Sequence, residues 1–338
     1  MRRFGVLLST AAAVLVLAAP TGAAGTAPVW IEPTPAEGAS ITATSGKRVI
    51  VAVAATDEDA GDEVRIEAAQ LPKYATLTAT PGNPATATLT IVPPAAAHGV
   101  VTVTLIARDT GGNVTPRTFV FEIVPDTAPF SLVGPGAVSR WAYILKATTV
   151  RAAPDSSARA VGRLGTATPL GRPNLVSALE GQRDLQGRLW VRVSLPALPN
   201  GSTGWIRKSA LDDFRVVRTR LVVDRASLTA TLLRDDRPVF STRVGIGRPG
   251  SPTPAGEFYV REVIRGFGDP FYGPVAFGTN ARSPFLTDWP GGGFIGIHGT
   301  NQPGLLPGLV SHGCIRMRNS AILRLAKLMP LGTPVTIR

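Results

Sequence analysis

The sequence predicts a mainly β protein arranged as three modules, and three observations carry that reading. Thirty-six Gly and 30 Pro among 338 residues, with only 6% aromatic residues, favour many turns and short strands over long helices. The charge also changes sign along the chain: residues 28–126 carry 6 basic and 11 acidic residues, residues 137–213 carry 11 and 5, and residues 214–338 carry 16 and 7. Those changes fall at Pro/Gly-rich breaks, notably residues 125–136. Finally, about 150 residues per domain gives two domains, or three if they are small. With 44% apolar and 17% charged residues, each module has the material for an ordinary core.

The N-terminus reads as an export signal over residues 1–24. Met1-Arg2-Arg3 is the positive region, residues 6–19 are almost wholly apolar, and Thr21-Gly22-Ala23-Ala24 supplies small residues for cleavage. The run is short for a membrane span and ends at Pro20. The expectation is an exported chain, in the cell wall, the periplasm or outside the cell, with no transmembrane segment once the signal is removed. Cys314 is the single cysteine. It excludes an intramolecular disulfide framework and any Cys-rich zinc module.

The first module, residues 28–126, has β-branched runs at 48–53, 87–91, 100–107 and 117–124, so a small β-sandwich is expected. Its acidic run Asp57-Glu58-Asp59-Ala60-Gly61-Asp62 offers carboxylates two residues apart, a spacing compatible with Ca²⁺. The preferred reading is a solvated turn, with no metal. His98 is expected in a loop. By pattern, the region resembles immunoglobulin-like and cadherin-like modules of bacterial surface proteins.

The second module, residues 138–213, opens with Thr148-Thr149-Val150-Arg151 running into the turn Ala152-Ala153-Pro154. It continues with Leu189-Trp190-Val191-Arg192-Val193 and ends on Gly204-Trp205-Ile206. These features resemble the bacterial SH3-like small barrel, with residues 171–187 read as an insertion. Trp190 and Trp205 are expected in the core rather than in a peptide groove.

The third module, residues 217–338, carries the chemistry. Strands are expected at 221–224, 228–233, 239–246 and 294–297, the last delivering His298-Gly299-Thr300. Residues 265–293, with Phe267, Phe271, Tyr272, Phe285 and Trp289, read as one long loop, and loops of that length are often lids. A short helix is expected after the cysteine, capped by Asn319 or Ser320. Ala321, Ile322, Leu325, Ala326 and Leu328 form its apolar face, and Pro330 stops it.

Two of the three histidines, His298 and His312, lie within sixteen residues of Cys314. A free thiol is mostly protonated at neutral pH, so a nucleophilic cysteine needs a base or a positive field beside it. Gly313 permits close backbone approach, and its N–H with that of Cys314 is a candidate oxyanion site. A buried structural thiol is the plain alternative, and a zinc site is the other. No acidic or further histidine ligand is evident nearby, so the nucleophile ranks above the metal.

Ile297-His298-Gly299-Thr300-Asn301, with a twelve-residue interval between His298 and Ser311, and then Ser311-His312-Gly313-Cys314-Ile315-Arg316-Met317 resemble the signature of the L,D-transpeptidase (YkuD) catalytic domain. Val222-Val223-Asp224, Thr253-Pro254-Ala255-Gly256-Glu257-Phe258 and Gly332-Thr333-Pro334-Val335-Thr336-Ile337 match its opening, turn and last strand. The resemblance implies a cysteine acyltransferase needing no cofactor and no metal. Cys314 would attack the carbonyl after the third residue of a peptidoglycan stem tetrapeptide and expel the terminal D-Ala. His298, oriented by the Gly299 carbonyl, would take the thiol proton, and His312 would support the thiolate. Arg316 would hold a substrate carboxylate, and Ser311, Gly313 and Asn319 match motif positions around the substrate. The thioester would pass to an amine of a second stem, forming a 3→3 cross-link. Donor and acceptor stems are then the partners, and carbapenem-type β-lactams the expected inhibitors.

The excess of basic residues suits an anionic wall polymer or membrane surface. Nucleic acid is not expected, because the arginines are scattered through strands without an aromatic-interleaved patch. Two other functions stay open: an L,D-carboxypeptidase that resolves the same thioester with water, and a non-catalytic wall-binding protein.

Overall fold

The computed structural model describes residues 25–136, 138–266, 268–285 and 293–338. The expected signal, residues 1–24, lies outside them, as do Phe267 and Trp289. The chain divides into two compact units, residues 1–124 and 125–338. Both are built of strands, and the described residues include one α-helix, Asn319–Leu328. No helix among them is long and apolar enough to cross a membrane.

In the first unit two four-stranded sheets enclose one core. Their orders are Val29–Ile31, Val49–Thr56, Ala85–Ile91, Ala75–Thr80 and Ser40–Thr44, Val114–Val124, Gly99–Arg108, Arg65–Gln70. Alternation decides which face turns inward: Ala85, Ala87, Leu89 and Ile91 are buried while the residues between them stay accessible. Trp30, Phe119 and Phe121 fill the centre. His98 is exposed in a loop, as expected. The acidic turn is less solvated than the sequence implies. Asp57 is buried, and its Oδ1 accepts the Asp59 N–H at 2.9 Å. Carboxylate oxygens of Asp57, Asp59 and Asp62 lie within 4.8 Å of one another.

The second unit holds an eight-stranded and a ten-stranded sheet. The former runs Ala160–Leu164, Thr148–Arg151, Thr203–Arg207, Leu189–Ser194, Leu175–Arg183, Ser139–Tyr143, Arg215–Val217, with Phe130–Ser131 paired to Leu175–Arg183. Residues 171–187, read above as an insertion, therefore include an integral strand. Leu175, Val176 and Ala178 are buried, and the strand pairs on both sides. Trp190 and Trp205 are core residues, as expected.

The ten-stranded sheet is the frame of the site. Its order is Arg237–Arg243, Thr229–Arg234, Thr219–Asp224, Pro334–Ile337, Gly256–Arg265, Val275–Arg282, Phe294–His298, Ile315–Arg316, Gly245–Gly247, Gly308–Ser311. The C-terminal strand sits in the middle, parallel to Thr219–Asp224 and antiparallel to Gly256–Arg265. The helix lays Ile322 and Leu325 into the core of this sheet, each buried side chain contributing about 1.5–3 kcal/mol.

Two expectations are corrected here. Residues 265–293 are not one loop, because Val275–Arg282 is an interior strand pairing with Gly256–Arg265 and Phe294–His298. Its buried Val275, Ala276, Phe277 and Ala281 make it a core element, but flanking Gly, Pro and Ser residues disguise it. The helix N-cap is Arg318, with no side-chain capping bond. Asn319 is inside the helix and points its oxygen elsewhere.

Candidate active site

Sheet pairing brings the reacting groups together. Phe294–His298 runs parallel to Ile315–Arg316, with His298 opposite Arg316, and the Met317 N–H donates to the His298 carbonyl at 3.0 Å. Cys314 stands at the entrance to the second of these short strands. The loop before it is fixed from two sides. Ser311 Oγ donates to the Cys314 carbonyl at 2.6 Å and accepts the Gly313 N–H at 3.1 Å. Thr253 Oγ1 donates to the Gly313 carbonyl at 2.7 Å, and Ser251 Oγ to the His312 carbonyl at 3.1 Å. Gly313 has φ +119°, and a Cβ there would stand 2.8 Å from Ile295 Cδ1. Only glycine suits that bend.

Cys314, His298, His312, Arg316, Phe271 and Phe294 line one pocket. Cys314 Sγ accepts the Gly296 N–H at 3.3 Å. A Cβ on Gly296 would stand 3.8 Å from both Sγ and His298 Cδ2, so thiol and imidazole edge both border that glycine. The Gly299 carbonyl lies 2.6 Å from His298 Nδ1. A carbonyl only accepts, so Nδ1 carries the ring proton and Nε2 is bare. Nε2 is buried and has no hydrogen-bond partner among the described residues. It is an unprotonated nitrogen on a residue that lines the thiol pocket.

Burial sets the protonation of the resting groups. It pushes the His298 imidazole down to about 4, with the nearby Arg316 charge in the same direction and the Gly299 bond opposing. Burial pushes the Cys314 thiol up, against the Gly296 N–H and Arg316, which favour the thiolate. Thiol and imidazole are thus both neutral at pH 7 in the resting site. Burial also raises the Tyr272 phenol to about 12, helped by the neighbouring Cys314 and Asp269.

The remaining sequence candidates take distinct places. Arg316 is buried, and its guanidinium lies 4.2 Å from the Phe271 ring centroid. No carboxylate lies within ion-pair distance of it among the described residues. Among the described residues it is a pocket cation without a carboxylate partner. His312 is exposed, and its Nε2 accepts from the Arg248 guanidinium. Ser311 and Asn319 act on backbone: Asn319 Oδ1 accepts the Thr300 N–H at 2.9 Å and packs against Gly299. The Gly313 N–H, read as half of an oxyanion site, is already donated to Ser311.

Sequence reasoning missed Arg248, Ser251, Thr253 and Gly296 around the thiol. It saw Phe271 and Tyr272 only as loop aromatics, yet the Tyr272 and His298 ring centroids are 5.0 Å apart. The Gly-Arg-Pro turn holding Arg248 carries no catalytic signature. As for metal, the one set of three or more grouped ligand side chains among the described residues is Asp57, Asp59 and Asp62. Among the described residues Cys314 and the two histidines do not form such a set.

Comparison with known proteins agrees with this placement. The L,D-transpeptidase catalytic domain family, YkuD, matches residues 218–337. The YkuD protein of Bacillus subtilis (strain 168), which carries the L,D-transpeptidase name, is 33% identical over 127 residues, 38% of this chain and 70% of that protein. The chain belongs to the L,D-transpeptidase (YkuD) family. Among solved structures, the catalytic domain of the Enterococcus faecium L,D-transpeptidase is 27% identical and covers 36% of this chain and 96% of that one, with a TM-score of 0.27. An L,D-transpeptidase in complex with imipenem is 13% identical, covering 93% of this chain and all of that one, with a TM-score of 0.28. The family assignment applies to the C-terminal part of the chain, where the thiol cavity lies.

Proposed function

We propose that the protein is an exported peptidoglycan L,D-transpeptidase that works through a thioester on Cys314. The observation that carries this reading is the bare Nε2 of buried His298 in the same pocket as the single thiol and the guanidinium of Arg316. In the first half-reaction Sγ attacks the carbonyl after the third residue of a donor tetrapeptide stem. The thiol proton passes to Nε2 and on to the departing amine of D-Ala, so the imidazole returns to its neutral form. Arg316 supplies positive charge where the thiolate and then the carbonyl oxyanion develop. In the second, the side-chain amine of an acceptor stem attacks the thioester carbonyl, and the thiol is regenerated as the 3→3 cross-link forms. Peptide bonds are exchanged one for one, and no cofactor is required.

The finer parts of the proposal concern the rest of the chain. Residues 1–24 direct export, and the strained acyl group of a carbapenem acylates Cys314 in place of a stem. Residues 28–126 form an immunoglobulin- or cadherin-like module and residues 138–213 an SH3-like one, both serving attachment to the wall. The test is chromatography of products from tetrapeptide-stem muropeptides with and without acceptor stems. Cross-linked dimer and free D-Ala support the transferase. Tripeptide as the sole product at saturating acceptor makes the enzyme a carboxypeptidase.

A further inference from the structure

We propose that the eight-stranded sheet is a working part of the thiol cavity: Asn174 and Asn200 position Arg261 and Arg282, and through them the Phe294 wall that fits the acyl donor. The proposal takes from the reading above only that Cys314 is the reacting thiol.

Phe294 lines the cavity together with Ser283, Gly293 and Cys314. Two guanidinium groups flank its ring, Arg261 at 4.4 Å and Arg282 at 4.9 Å from the centroid. Like charges so placed stay only if something else holds them. Arg261 is buried, and two of its guanidinium nitrogens have no hydrogen-bond partner among the described residues. Its third, Nη2, donates to Asn174 Oδ1 at 3.2 Å. Leaving buried donors unmade is costly, and the Phe294 ring face is the attraction that offsets it.

Asn200 holds the Arg282 backbone. Asn200 Oδ1 accepts the Arg282 N–H at 2.9 Å, and Asn200 Nδ2 donates to the Arg282 carbonyl at 2.8 Å. One side chain thereby satisfies both polar backbone groups at the end of strand Val275–Arg282, as a partner strand would. The next residue, Ser283, donates its N–H to the Gly293 carbonyl at 2.9 Å. Displacing Asn200 therefore removes two bonds from the strand end that carries Arg282 and leads into Ser283. Asn174 and Asn200 both belong to turns between strands of the eight-stranded sheet, 165–174 and 195–202. Neither touches the thiol. They are positioning residues.

The test reads the cavity through Cys314 itself, so it does not depend on stem turnover. Wild type, Asn200→Ala, Phe294→Leu and the double variant are alkylated with iodoacetamide and with its N-benzyl derivative, and rates are followed by intact mass. Asn200→Ala should leave the small reagent within about two-fold and slow the aromatic one by about five-fold, the scale of coupling between residues in one network. The double variant should be no slower than Phe294→Leu alone. Additive losses, equal slowing of both reagents, or unchanged selectivity in Asn200→Ala would overturn the proposal. Asn200→Asp, which keeps the acceptor and loses the donor, provides the same cycle if the alanine variant does not fold. Failure to cross-link stems, with this selectivity intact, would count against the transpeptidase reading and leave the positioning role standing.

Discussion

His298 Nδ1 lies 2.6 Å from the carbonyl of its own neighbour, Gly299. That bond fixes the tautomer, turns Nε2 toward the thiol cavity and makes the glycine part of the base. Its carbonyl orients the ring, and its missing side chain lets Asn319 and Gly273 close in. Gly299→Ala should therefore cost about 1–3 kcal/mol through overpacking and also misplace the imidazole. Thermal melting and acylation rate should fall together, and a variant with wild-type values for both would show the close packing to be dispensable.

His298 also makes stability depend on pH in a definite direction. Its pKa is about 4 when folded and 6.5 ordinarily, so the unfolded chain binds the extra proton between those values. Folding stability contributed by the neutral ring is complete above pH 6.5 and is lost as pH falls toward 4, by roughly 3 kcal/mol in all. Denaturant titrations from pH 7.5 to 4 should show this loss in wild type. His298→Gln should show a flatter profile, and its acyl transfer should drop by about 100-fold or more.

Arg316 is predicted to tune the nucleophile. Burial holds the thiol up while the Arg316 charge favours the thiolate. Arg316→Met should therefore move the alkylation profile of Cys314 to higher pH, by about one unit for a lost neighbouring charge. Arg316→Lys should restore most of the shift. A profile unmoved in Arg316→Met would mean that the cation is not felt at the sulfur.

The main features of this site were legible because they are local. His298-Gly299 and Ser311-His312-Gly313-Cys314 are short runs in which turn chemistry and reactive groups coincide, and the apolar face of the helix is periodic. The strand Val275–Arg282 was hidden because its alternation is broken by buried polar residues. Asn280 is there to accept the Tyr259 N–H at 2.7 Å, and Thr279 to donate to the Ile295 carbonyl at 2.6 Å. Arg248, Phe271 and Tyr272 reach the cavity only through the sheet order, which no spacing in the sequence encodes. The helix cap was misread because Asn319 bonds Thr300, a partner nineteen residues away.

Phe271 and Tyr272 bear on the choice between transfer and hydrolysis. Their rings are 6.2 and 5.0 Å from that of His298, and in the proposed reaction such an aromatic cover would exclude water from the acyl-enzyme. Tyr272→Ala should raise tripeptide release relative to cross-linked dimer at fixed acceptor concentration. An unchanged product ratio would place water control elsewhere.

The most direct test of the central claim is intact-mass analysis and peptide mapping of the mature protein after incubation with imipenem or a tetrapeptide-stem donor. The account predicts one acyl adduct per chain, on Cys314, accompanied by D-Ala release when the stem is used. Cys314→Ala should remain folded and take up none. An adduct on any other residue, or none on Cys314 in a folded wild-type chain, would contradict it.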